Sequence, residues 1–120
     1  RELPELNAAA GINCCCGDEK LFRRIIGMAD MTSRAESLEK ALDNSDWKEY
    51  AQTCTELCSA AAAVGAERLA QSAQYAADLL AAGNIAELRS HERRLISHCK
   101  SFDEAAAAYI QKYTENGEKY

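Results

Sequence analysis

Two histidines and six cysteines are the places where this sequence offers chemistry. His91 and His98 are seven residues apart, which sets both on one side of a helix, at the edge of its apolar stripe. Cys54 and Cys58 are spaced i, i+4, and His98 and Cys99 are adjacent, so a four-ligand zinc site can be imagined. The side-chain directions argue against it. Cys54 and Cys58 fall near the centre of an apolar helix face, where a free thiol behaves as a small hydrophobe. His98 and Cys99 point about 100° apart and do not readily share one ion. No metal site is expected. Cys14, Cys15 and Cys16 form an adjacent run in a loop before a helix N-terminus, a setting that lowers a thiol pKa. Redox sensing or metal capture is the functional reading there; ordinary loop thiols are the plainer one. Adjacent cysteines make a poor disulfide framework, and the other three lie within helical patterns, so reduced thiols are expected. No Ser-His-Asp set, glycine-rich phosphate loop or paired-carboxylate spacing stands out. We expect neither an enzyme nor a cofactor.

Helices must position these residues, and helices are what the rest of the chain encodes. Hydrophobic residues make up 48% and charged residues 28%, with a single Pro and long alanine-rich stretches, which favours a helical globular chain. Residues 1–120 are expected to form one domain, long enough to bury a core without disulfides. A short first helix is expected near 3–10, opened by Pro4 and ended by Gly11. Asp18 and Glu19 open a long second helix, about 18–43, carrying Leu21, Ile25, Met28 or Ala29, Leu38 and Leu42 inward. Its weaker stretch, 30–33, allows a bend. Asp46 and Glu49 read as a capping box for a third helix, about 46–64. Trp47, Tyr50, Ala51, Cys54, Leu57, Cys58, Ala61 and Val64 lie on one face of it. Gly65 stops that helix.

A fourth helix, about 66–82, buries Leu69, Ala73, Ala76 and Leu80 and ends at Gly83. Asn84 with Glu87 starts the last one, about 85–113, in which Leu88, Leu95, Phe102 and Tyr109 repeat every seven residues. Cys99, Ala106 and Tyr113 run beside them, and Ser101 with Glu104 could restart the helix, which allows a kink near 101. No strand pattern interrupts this. The fold expected is all-α, an antiparallel four-helix bundle with a short extra N-terminal helix. Its expected core is Trp47, Cys54, Leu57, Cys58, Ala61, Leu69, Leu80, Leu95, Cys99 and Phe102, with Gln52, Thr55 and Ser59 outside.

Charge narrows the partners. A formal net charge of −5, with basic residues interleaved among acids, argues against nucleic acid, whose phosphates demand clustered Lys and Arg. No apolar run approaches the roughly 20 residues that span a bilayer, so no membrane insertion is expected. The chain starts at Arg1 rather than Met and shows no signal-peptide pattern, so we expect a cytoplasmic module excised from a larger signalling protein.

The segment running from Val64, Gly65, Ala66, Glu67, Arg68 and Leu69 to Ala82, Gly83 and Asn84 resembles the second half of a family motif. That family is the histidine phosphotransfer (HPt) domains of bacterial phosphorelays. Gly11-Ile12, Gly17-Asp18-Glu19 and Leu21-Phe22-Arg23-Arg24 resemble its opening, and 44–47 resembles the turn before its active helix. The order and the gaps agree over about 4–113. The family carries its phospho-accepting histidine ten positions before the residue matched by Gly65; here that position is Thr55. Leu57 keeps the leucine two residues on, while Cys58 replaces a lysine and Ser59 a glycine.

The resemblance implies a signalling bundle whose partner is the receiver domain of a response regulator or a sensor kinase. It also implies a lost acceptor, because a threonine hydroxyl is a weak nucleophile without an adjacent base and its phosphate ester would stall a relay. The expected docking stripe is Lys48, Gln52, Thr55, Ser59 and Ala62, small and mostly uncharged on one side of the third helix. The plainer reading of that stripe is an alanine-rich solvated face. A second reading places phosphate on another histidine, His91 or His98: Ser90-His91-Glu92-Arg93-Arg94 is similar to the phosphorylated box of sensor kinases, but Leu95-Ile96 stands where that box has Thr-Pro. A third is a purely structural or dimerising bundle.

Overall fold

The computed structural model describes residues 6–115 as six helices with no strand among them. They are α1 (Ala8–Cys14), α2 (Glu19–Met28), α3 (Met31–Asp43), α4 (Trp47–Ala63), α5 (Glu67–Ala81) and α6 (Ile85–Glu115). Helices α3, α4, α5 and α6 each pack on two of the others and close a four-helix ring, while α2 lies on α6 and α1 on α2. Short turns reverse the chain between consecutive members of the ring. The closing pair is antiparallel too: Met31 at the start of α3 meets Asp103 late in α6, and Asp43 at its end meets Arg89 early in α6. The 31 residues of α6 run unbroken past Ser101, so the helix does not restart there. Its length sets the long dimension of the 49 × 23 × 23 Å molecule.

The joints follow one local rule. At the ends of α3, α4 and α5 the chain turns through a left-handed residue, Ser45, Gly65 and Gly83. The next N–H then donates back to the preceding helix: Asp46 to Ala41 O, Ala66 to Ala61 O, Asn84 to Leu79 O, all within 2.9 Å. This closure satisfies carbonyls that a helix end leaves open. Asp46 and Asn84 then cap the following helices, accepting from Glu49 N at 3.2 Å and Glu87 N at 3.3 Å. The reciprocal half of the expected capping box at Asp46 is absent, because its N–H is already committed to Ala41; Glu49 accepts instead from Thr53 Oγ1 at 3.2 Å.

Several expectations are corrected here. The single helix over 18–43 is two helices, broken at Asp30, whose backbone is left-handed at φ 47°. The break is held by both sides. Met31 N and Thr32 N donate to Asp103 Oδ1 and Oδ2 at 3.1 and 2.8 Å, Ser33 N to the Asp30 side chain, and Arg34 Nε to Ala29 O. With the helix divided, α2 turns a different face inward: Phe22, Ile26 and Ala29 are buried, while Leu21 and Met28 are exposed.

Gly11 does not end a helix; it lies inside α1 and is buried. A Cβ there would collide with the Phe22 ring and sit 2.6 Å from the Val64 carbonyl oxygen, so only glycine lets α1 settle against the α4–α5 turn. The first helix begins at Ala8, capped by Asn7, and the Pro4 start lies outside the described residues. Trp47 is 39% exposed, not core, because it is the first residue of α4, where the bundle has no further layer to cover it. Cys58 and Leu80 are half-buried at the core's edge. The remaining expected core, Cys54, Leu57, Ala61, Leu69, Leu95, Cys99 and Phe102, is buried in one cluster.

Asp103→Ala would leave the N–H groups of Met31 and Thr32 without their cap, and we expect a loss of about 1–2 kcal/mol in urea unfolding. Asp103→Asn, which keeps one acceptor oxygen, should lose less.

Candidate docking face and its buried polar support

Helix α4 is amphipathic in the way its sequence implies. Tyr50, Thr53, Cys54, Leu57 and Ala61 are buried, which turns Lys48, Gln52, Thr55, Ser59 and Ala62 outward, and all five are exposed. They share one solvent face. The Thr55 hydroxyl donates to the Ala51 carbonyl one turn back at 3.1 Å, a bond to its own helix rather than to a base. Cys58 sits half-buried on the shoulder between this face and the core. At the C-terminal end of the stripe Cys14 Sγ lies 3.7 Å from the Ala62 carbonyl, bringing α1 beside it.

Behind the stripe, on the inward side of α4, stands a polar pair that the sequence reading missed. The Tyr50 hydroxyl donates to Glu92 Oε1 of α6 at 2.6 Å. Tyr50 is fully buried and Glu92 is 3% exposed, while Glu92 Oε2 has no hydrogen-bond partner. Burial pushes the Glu92 carboxyl up to about 7; the Tyr50 hydrogen bond lowers it, and Glu39 and Asp43 of α3 raise it further. Burial, the hydrogen bond and the charge of Glu92 together drive the Tyr50 hydroxyl far above its ordinary range. Cys54 and Cys99 are pushed up to about 12, chiefly by burial, with Glu92 adding to both and Asp103 to Cys99. These thiols stay protonated and act as small core residues. A signal for Glu92 existed: it falls in the apolar row with Leu88, Leu95, Cys99 and Phe102, a core position for a charged residue.

The two histidines part company. His91 is 6% exposed and tucked against α5, with the Tyr75 ring edge-on at 4.8 Å. Its Nε2 lies 2.8 Å from the Ser72 carbonyl, which can only accept, so Nε2 carries the proton and donates. Nδ1 is buried without a partner. Neither nitrogen faces solvent in a way that a phosphoryl donor could reach. His98, half-buried, borders a hollow formed with Asn7 and the start of α5 around Ala66, Glu67 and Arg68.

The cysteine run closes α1 rather than opening α2. Cys14 is the last residue of α1, Cys15 is its buried C-cap, and Cys16 is left-handed at φ 56°. Burial first, then Cys14, Asp18 and Cys16, pushes the Cys15 thiol up, the opposite of the activation that a helix N-terminus gives. No cluster of three or more His, Cys, Asp or Glu is placed to hold a metal ion among the described residues. Nor is any described helix long and apolar enough to cross a membrane.

The described residues form an all-α four-helix ring with an exposed face on α4. The Hpt domain family model matches residues 27–109, well over half of the chain. The chain belongs to the Hpt domain family. No curated protein and no solved structure matches it. Membership makes this a phosphorelay-related signalling module, and domains of this family work with receiver domains and kinases.

The helical register of α4 carries a direct test. Leu57→Ala should cost about 2–5 kcal/mol, as truncation of a buried leucine does, whereas Thr55→Ala two residues away should change stability by less than about 0.5 kcal/mol. Urea midpoints of the two variants would separate them; equal losses would mean that Thr55 is not on the surface.

Proposed function

We propose that the domain is a docking module of a phosphorelay that binds a partner through the outward face of α4 and carries no phosphoryl group itself. The reading treats residues 1–120 as one non-enzymatic domain of a larger cytoplasmic signalling protein, and its partner as the receiver domain of a response regulator or a sensor kinase. The observation that carries it is Thr55. It stands at the centre of an exposed stripe of small residues, at the position where the family keeps its histidine, and its hydroxyl is turned back onto Ala51 O. A hydroxyl lacks the basicity of imidazole, and phosphothreonine is a stable ester, so the position does not suit a reversible relay.

Docking needs less than transfer does. Thr55, Ser59 and Ala62 present little bulk and few rotamers to be frozen, so a partner can approach that part of the helix closely at small entropic cost. The reading of His91 as a substitute acceptor fits poorly with its burial and with the proton that its Nε2 gives to Ser72 O.

Incubation with a phosphorylated receiver should leave no acid-labile label on the protein, while binding remains measurable and is abolished by Ser59→Arg. Thr55→His should restore some transfer, and adding Cys58→Lys with Ser59→Gly should restore more. Cys58 lies on the shoulder of α4, from which a lysine can extend its ammonium to the surface. Label on the unmodified protein that disappears in His91→Ala or His98→Ala would overturn this reading. Absence of both label and binding across several receivers would leave a structural bundle.

A further inference from the structure

We propose that Glu92 and Tyr50 form a proton-controlled latch, in which protonated Glu92 ties α6 to α4 across the middle of the ring and loss of that proton loosens α4 from the bundle. The geometry is specific. Two side chains on different helices meet inside the four-helix ring through one 2.6 Å hydrogen bond, both essentially out of solvent. Tyr50 satisfies only Oε1; Oε2 is enclosed with no partner. When the carboxyl is neutral, the unpaired atom is a hydroxyl, a modest cost. When it is ionised, the unpaired atom is half of a buried carboxylate, which is much worse.

The surroundings do not offset that charge. From α3, Glu39 and Asp43 oppose ionisation. Arg89 of α6 pairs with Asp43 at 3.2 Å rather than with Glu92. From α4 come Tyr50 and the neutral thiol of Cys54, and from α6 itself Cys99, whose thiol is neutral as well. Helix α5 meets α6 through Ser72 and Tyr75, which engage His91, the next residue along. Tyr50 alone favours the anion, and burial outweighs it.

The direction of the pH effect follows. The folded-state pKa of Glu92, about 7, lies above the 4.5 of an ordinary glutamate. Its contribution to stability is therefore full below about 4.5 and is lost as pH rises through about 7. The weakening falls on the hydrogen bond that crosses the ring from α6 to Tyr50 of α4, so α4 should open before the rest. The latch does not depend on the docking reading and can fail or stand without it.

Three measurements on the intact domain test it. The carboxyl carbon of Glu92, followed by NMR, should titrate near pH 7, and in Tyr50→Phe higher still, since the bond that favours the anion is gone. The folding equilibrium from urea titrations should weaken about tenfold between pH 6 and 8.5 in the unmodified protein, beyond any change in Glu92→Gln. Groups other than Glu92 that titrate in this window contribute equally to both proteins. Amide exchange, corrected for its intrinsic pH dependence, should rise more in α4 than in α5 over the same range. A Glu92 midpoint below pH 5, or parallel stability profiles for the two proteins, would overturn the latch. Should Glu92→Gln not fold, the titration and the exchange of the unmodified protein decide alone: a midpoint near 7 with selective opening of α4 upholds it, and a midpoint near 7 with no selective opening sinks it.

Discussion

The register of this bundle depends on one carboxylate. Asp103, late in α6, accepts from the first two N–H groups of α3, some seventy residues earlier in the chain. A helix start leaves four N–H groups without partners, and burying them uncapped would cost more than the break in the chain could sustain. By taking two of them, Asp103 ties the first turn of α3 to one particular turn of α6. The ion pair at the other end, Arg89 with Asp43, is exposed on both sides and contributes little by comparison. Once α3 is fixed on α6, Met31, Leu38 and Leu42 share a core with Leu95 and Phe102. Helix α4 completes that core with Tyr50, Cys54 and Leu57, and its opposite side is left to solvent. The orientation of the Thr55 face is thus a consequence of a contact on the far helices.

What could be read from the sequence divides along the same line. Helices α4, α5 and α6 and the joints between them were legible because their signals are local: glycine in a left-handed turn, a capping Asp or Asn, apolar residues every three or four positions. The break at Asp30 was visible only as weak periodicity, because much of what stabilises it comes from residue 103, beside the local cap that Asp30 gives Ser33. One helical phase carried across that break puts Leu21 inward, whereas Phe22 and Ile26 are buried, Ile25 is partly buried, and of the pair Met28 or Ala29 it is Ala29 that faces the core. Gly11 reads locally as a stop, yet its reason is a neighbour: the Phe22 ring and the Val64 carbonyl leave no room for a Cβ. Trp47 has the right phase and the wrong height. Periodicity reports which side of a helix a residue is on, not whether the bundle extends that far along its axis.

The candidate face shows the same limit. The exposure of Lys48, Gln52, Thr55, Ser59 and Ala62 follows from helical phase alone, and it was legible. The pair behind it was not, although Glu92 sits in the same row as Leu88, Leu95, Cys99 and Phe102. The run from Ser90 to Arg94 reads locally as a surface motif, whereas the fold buries both His91 and Glu92 and gives them different partners, Ser72 and Tyr50. A charged residue at a core phase is a stronger signal than a histidine at an edge, because only the former must be answered by a partner or a shifted pKa.

These two levels, an outward face set by phase and an inward pair set by tertiary contact, are energetically independent in one direction only. Thr55 and Ser59 face solvent, and Cys58 stands at the core's edge, so substitutions at these positions ask little of the packing. A domain can therefore lose its acceptor and keep its fold. The reverse does not hold. Any change that moves Tyr50 or Glu92 displaces the helix on which the whole stripe is mounted, since Tyr50 lies on the same turns of α4 as Lys48 and Gln52. The surface is free to vary chemically, but its position is governed from inside.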